Sequence, residues 1–131
     1  IRFVNYQDAG RLSEVLASAD VHVVPLKAGL GAVSVPSKAY SIMAAGRPLL
    51  AAIDADSEVA RIVENVGCGR VVAPDQPEAF IAALSSMLEN RDEMAEMGAK
   101  GRLWVVENAS PHAVGEAYHQ LLATLSPVES L

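Results

Sequence analysis

The sequence predicts an α/β domain built around a mainly parallel sheet, and three observations predict it. Short β-branched runs alternate with longer stretches of helical periodicity along the chain, which is the pattern of successive βαβ units. V-H-V-V-P-L and P-L-L-A-A-I flank the stretch V-P-S-K-A-Y-S-I-M-A-A-G-R-P, Val35 to Pro48, so this region reads as strand, loop, helix, glycine turn and strand. The connections are short, as layered α/β folds require.

Taken in order, I-R-F-V predicts a first strand from Ile1 to Val4. A helix follows from about Ala9 to Ser18, with Leu12, Val15 and Leu16 at helical spacing and Asp8 in N-cap position. The second strand is expected over Val21 to Pro25. The loop from Lys27 to Pro36 leads into a helix over roughly Ser37 to Ala45, which Gly46 ends. The third strand is Leu49 to Ile53. The run S-E-V-A-R-I-V-E-N-V predicts an amphipathic helix with Val59, Ile62 and Val63 inward and Glu58, Arg61 and Glu64 outward, closed by Gly67 and Gly69. A fourth strand is expected over Arg70 to Ala73, then a turn at Pro74-Asp75 and a helix from about Pro77 to Leu88 with proline at its first position. Arg91 to Asn108 reads as a further helix carrying Met94, Met97, Leu103, Trp104 and Val105. Gly98 and Gly101 count against it, since an interior glycine costs about 1 kcal/mol relative to alanine. Ser110-Pro111 starts a last helix to about Leu125, and S-P-V-E-S-L reads as a frayed tail.

At 131 residues with 51% apolar side chains, the chain can bury one core and is expected to form a single domain. A net charge of −6 argues against general affinity for nucleic acid or anionic lipid, which needs clustered Lys and Arg. Cys68 is the only cysteine, which excludes an internal disulfide or a cysteine-based metal cluster and fits a reducing, cytoplasmic setting. No apolar run approaches the roughly 20 residues of a membrane-spanning helix, and no signal peptide is read. The chain opens at Ile1 within a strand pattern, so it is read as part of a longer protein.

The chemistry-bearing segment is the loop from Lys27 into the following helix. In parallel α/β sheets, ligands sit outside the carboxyl ends of the strands, where loops meet helix N-termini. Pro36 suits a first helical position, which would leave the amides of Ser37 and Lys38 to face an anion. Gly29 and Gly31 allow close backbone approach to a diphosphate, Ser34 and Ser37 add hydroxyls, and Lys38 adds a full positive charge. The residues equally allow Ser34 or Ser37 simply to cap the helix, with Lys38 a solvated surface lysine.

F-V-N-Y at Phe3 to Tyr6, A-S-A-D-V at Ala17 to Val21, P-S-K, A-A-G-R-P, S-E-V at Ser57 to Val59, G-x-V-V-A-P-D at Gly69 to Asp75, and E-N-A-S-P at Glu107 to Pro111 together resemble the C-terminal half of a GT-B "group 1" glycosyltransferase. Each piece is weak, but their order and spacing are specific and span nearly the whole chain. The resemblance implies a Rossmann-like three-layer αβα domain, an incomplete C-terminal part of a GT-B architecture, that holds a UDP- or GDP-linked sugar. It implies glycosyl transfer, usually with retention, in polysaccharide or glycolipid assembly. The N-terminal acceptor domain and the first strands of the donor domain, with their usual Arg and Lys pair, would be missing, so this chain alone is expected to be inactive. The family context favours the anion-site reading of Gly29, Gly31, Ser34, Ser37 and Lys38 as donor-binding residues; no catalytic residue is assigned.

The chain departs from the family at its E-x7-E signature. Aligning Ala44-Ala45-Gly46 on the family's helix end places Val33 and Ser41 at the two glutamates. The second commonly grips the ribose hydroxyls, and Ser41 is expected to contact the ribose directly or through water, unless that recognition has moved elsewhere. Asp54, Asp56 and Glu58 lie at the predicted ligand edge; one could meet a sugar hydroxyl, although Asp56 or Ser57 as helix cap and Glu58 beside the dipole explain them more simply. Turn chemistry accounts for Asp75. Tyr40 is either a base-stacking platform or, more simply, sheet packing, and Trp104 with Met94 and Met97 reads as core or interdomain packing.

His22, His112 and His119 complete no metal set, and no G-x-S-x-G or Walker loop is present, so no metal and no cofactor other than the nucleotide-sugar substrate is expected. The resemblance implies that the last helix crosses back to the N-terminal domain, so Tyr118, Leu121 and Leu122 are expected to expose an apolar seam here and to favour self-association. The resemblance also suggests a lipid-linked acceptor and peripheral work at the inner face of a membrane. Two alternatives stand beside the transferase: a non-catalytic α/β interaction module on the same scaffold, supported by the missing glutamates, and part of a nucleotide-sugar epimerase.

Overall fold

A computed structural model describes residues 1–31 and 33–125. Strands β1 (His22–Pro25), β2 (Leu49–Ala52) and β3 (Gly69–Val72) form a parallel sheet in the order β1-β2-β3. A short 3₁₀ turn (Ala9–Arg11) leads into α1 (Leu12–Ala17), and five further helices follow: α2 (Lys38–Ala44), α3 (Glu58–Val66), α4 (Pro77–Glu89), α5 (Arg91–Asn108) and α6 (Pro111–Leu125).

The alternation of side chains along β2 separates two apolar layers. Leu49 and Ala51 join Val24, Ile42, Met43, Val59 and Val63 on the side covered by α2 and α3. Leu50 points the other way and packs with Met87, Phe80 and Leu84 of α4. Helices therefore cover both sheet faces, in the expected three-layer Rossmann-like αβα arrangement.

Helix α5 joins the layers. Met94 and Met97, near its start, belong to the α4 side, while Val105, near its end, belongs to the α2/α3 side. Between them Gly98 lies against the carbonyl of Gly46, and Gly101 lies against Cys68 and Met43. These glycines do not interrupt the helix; they let it pass close to the amino ends of β2 and β3. Trp104 does not group with Met94 and Met97, because it lies on the opposite layer beside Tyr40.

Several expectations are corrected. Ile1 to Val4 forms no strand; Ile1, Phe3 and Val4 are exposed. Strand propensity is realised only through pairing and packing, and no described strand pairs with this segment. Asp8 makes no side-chain cap; its carbonyl accepts from the Arg11 amide at 2.9 Å, so the turn closes in 3₁₀ form and the α-helix begins at Leu12. Gly69 is the first residue of β3, opposite Leu49, rather than only the close of the preceding helix. Pro36 precedes α2 instead of opening it, its carbonyl accepting from Ala39 at 2.9 Å.

Other boundaries match the sequence reading closely. Gly46 leaves α2 with φ +68°, and Gly67 leaves α3 with φ +68°, the left-handed conformation that glycine adopts without penalty. Ser110 accepts from the Ala113 amide at 3.1 Å and so caps α6. The tail after Leu125 lies outside the described residues.

Candidate functional site

The register pairs Pro25 with Ala52, so the loops leaving β1 and β2 emerge side by side at the carboxyl edge of the sheet. The Leu26 amide continues the ladder to the Ala52 carbonyl at 2.9 Å. Two residues beyond these strand ends, Asp54 meets the glycine loop. Its carboxylate accepts the Gly29 amide on both oxygens, at 3.2 and 2.9 Å, and the Gly31 amide at 2.9 Å.

Both glycines are needed where they stand. Gly29 has φ +80°, a conformation that favours glycine. A Cβ on Gly31 would lie 3.0 Å from Asp54 Cβ and Oδ2 and from Ser57 Cβ, so the loop is seated directly on the turn that starts α3. Ser57 is buried and is the cap of α3, accepting from the Ala60 amide at 3.2 Å, while its own amide donates to the Asp54 carbonyl at 3.1 Å. Of the two cap candidates, Ser57 takes the role.

Beyond Gly31 the loop folds upon itself. The amides of Val33 and Ser34 both donate to the Leu30 carbonyl, at 3.1 and 2.9 Å. The Ser37 amide donates to the Val35 carbonyl at 2.8 Å, so one of the two amides expected to face an anion is turned back into the loop. The Ser37 side chain makes no cap hydrogen bond; simple helix capping is not its role here. Ser37 and Lys38 are exposed and Ser34 is half-buried.

The structure thus brings Gly29 and Gly31 together, but onto Asp54 rather than onto open solvent. Ser34, Ser37 and Lys38 follow at the end of the same loop and the start of α2. Ser41 lies one turn further on, where it lines a groove of about 580 Å³ with Leu12, Leu16, Ala44 and Arg102. Tyr40 packs in the core layer, its ring centroid 6.3 Å from that of Trp104; burial, with the charge of Glu58 adding to it, raises its phenol above the ordinary value. Its ring serves packing against the core.

Asp54 is the residue whose part sequence reasoning missed, having weighed it only against a sugar hydroxyl. The available signal was its place: an acid just after one strand, beside a glycine loop leaving the neighbouring parallel strand. Asp75 adopts φ +57° in its turn and, with Val23, Pro25, Ala52 and Phe80, borders a groove of about 420 Å³ at the same edge. A ring nitrogen of His22 bonds the Leu16 carbonyl at 2.8 Å, tying β1 to α1. Among the described residues no cluster of three His, Cys, Asp or Glu could hold a metal, and no helix is long and apolar enough to cross a membrane.

Comparison with known proteins places this geometry in a family. Residues 1–90 match the family described as "Glycosyl transferases group 1", so the match includes all three strands and both loops of the carboxyl edge. The chain is also 33% identical over 97 residues, 74% of its length, to "Probable glycosyltransferase WbjE" of Pseudomonas aeruginosa. The aligned region spans 24% of that relative. The chain belongs to the group 1 glycosyl transferases.

Proposed function

We propose that this chain is the donor-binding, C-terminal part of a GT-B glycosyltransferase, and that it holds a UDP- or GDP-linked sugar for polysaccharide or glycolipid assembly, with retention at the transferred sugar. The observation that carries the reading is the loop from Lys27 to Pro36, which leaves the carboxyl edge of a parallel sheet. Its glycine amides already engage an anionic group. Family membership supports a sugar donor and an acceptor as substrates.

In this reading Gly29 and Gly31 shape the loop, while Ser34, Ser37 and Lys38 supply hydroxyls and charge to the diphosphate. Negative charge grows on the leaving nucleoside diphosphate as the sugar bond breaks, and the positive charge of Lys38 favours that state over the ground state. Ser41 contributes to ribose recognition from the groove between α1 and α2. Turnover then belongs to a longer polypeptide that includes an acceptor domain at the inner face of a membrane. The exposed side chains of Tyr118, Leu121 and Leu122 on α6 fit an interdomain seam, through which the separate chain would self-associate.

An NMR titration of this chain with UDP, GDP and ADP tests the proposal. Saturable, base-selective amide shifts between Gly29 and Ser41 are expected. No shift with any of the three, from a folded protein, would reject nucleotide binding by this chain and favour the second reading, a non-catalytic module, for which the observation is that Asp54 already fills the glycine amides.

A further inference from the structure

Asp54 is tied to the glycine loop through its carboxylate. Both of its oxygens are used, at 3.2 and 2.9 Å to Gly29 and 2.9 Å to Gly31, and both donors are backbone amides whose direction is set by the loop. Among the described residues Asp54 enters no ion pair, and the Gly29 and Gly31 amides are the donors that its carboxylate receives. The carboxylate is an anion resident in a cradle of the kind that accepts phosphate oxygens.

Resting on the nucleotide reading above, we propose that Asp54 is a positioning residue that exchanges with the ligand's diphosphate. It holds Gly29 and Gly31 in receiving geometry while the site is empty and releases their amides when a phosphate oxygen arrives. One N–H cannot serve two anions well, and a diphosphate beside a retained carboxylate meets like-charge repulsion. The carboxylate therefore has to leave for the amides to be used.

The local structure permits that movement. The Asp54 backbone is held independently, its carbonyl accepting from the Ser57 amide at 3.1 Å, so the side chain can rotate without unfolding the start of α3. Asp54 is only half-buried, which gives the displaced carboxylate a route to water. Lys27 and Lys38 are exposed at the two ends of the loop region and add positive charge there for an incoming phosphate.

The test compares wild type with Asp54→Asn, whose side-chain oxygen can still accept one loop amide but carries no charge. Affinities for inorganic pyrophosphate, UDP and uridine are measured by calorimetry. The variant is expected to bind pyrophosphate and UDP roughly fivefold more tightly and uridine unchanged, a gain that loss of a merely structural contact does not produce. In the wild-type protein, the Asp54 carboxyl ¹³C signal is expected to move in step with the Gly29 and Gly31 amides as pyrophosphate is added. Unchanged or weaker diphosphate binding by the folded variant overturns the exchange while leaving the nucleotide reading intact. Saturation of the wild type with the Asp54 signal unmoved overturns it without any variant. Failure of both proteins to bind UDP or pyrophosphate overturns the nucleotide reading, and the exchange with it.

Discussion

Gly98 of α5 lies against the carbonyl of Gly46, so closely that a Cβ there would overlap backbone atoms of Gly46 and approach the Arg47 amide. The helix can cross the amino edge of the sheet only because this position has no side chain. Gly98→Ala is expected to destabilise the protein by about 2 kcal/mol, since overpacking against backbone outweighs alanine's helical preference. Gly115→Ala in α6, where a Cβ meets nothing within 4 Å, should instead stabilise by about 0.5–1 kcal/mol. Urea unfolding of both variants checks the opposite signs.

Ser57 couples the site to the core through its cap on α3. Ser57→Ala leaves the Ala60 amide without its side-chain acceptor at a buried position, and a loss of about 1 kcal/mol is expected. Because the Ser57 amide also holds the Asp54 carbonyl and Asp54 receives the Gly29 and Gly31 amides, faster hydrogen exchange at those two amides should accompany a loosened start of α3. Unchanged exchange would separate the cap from the loop.

Cys68 is fully buried, with its sulfur 3.4 Å from that of Met43, and burial pushes its thiol from an ordinary 9.0 up to about 11. The unfolded chain therefore releases the thiol proton first. This contribution to stability is complete below pH 9.0 and is lost as pH rises through about 11. Cys68→Ala should flatten that part of the stability profile. In the native protein at neutral pH the thiol should resist alkylation, and it should react once the chain is unfolded.

Lys38→Ala is expected to weaken UDP binding by about tenfold while leaving uridine binding nearly unchanged, because a charge-assisted contact reports the diphosphate and not the nucleoside. Calorimetry with both ligands measures the difference. Equal weakening of the two would remove Lys38 from the diphosphate site.

Much of the architecture could be read locally. The amphipathic helix over Glu58 to Val66 and the glycine ends at Gly46 and Gly67 follow from periodicity and from left-handed turn chemistry, which act over a few residues. The order of short motifs also carried the family resemblance, and the family match includes the same loops. Ile1 to Val4 shows where that reasoning stops: its side chains favour a strand, but a strand exists only beside another strand.

The sequence by itself determined the alternation of elements, the parallel α/β class and the segment that bears Gly29, Gly31, Ser34, Ser37 and Lys38. Tertiary structure alone decided what those groups face. The pairing of Pro25 with Ala52 brings Asp54 onto amides 25 and 23 residues away in the chain, and the crossing of α5 turns Gly98 from a helix-weakening residue into a required one. Both outcomes depend on distances between separate elements. Propensity and spacing describe neighbours along the chain and contain no such distances.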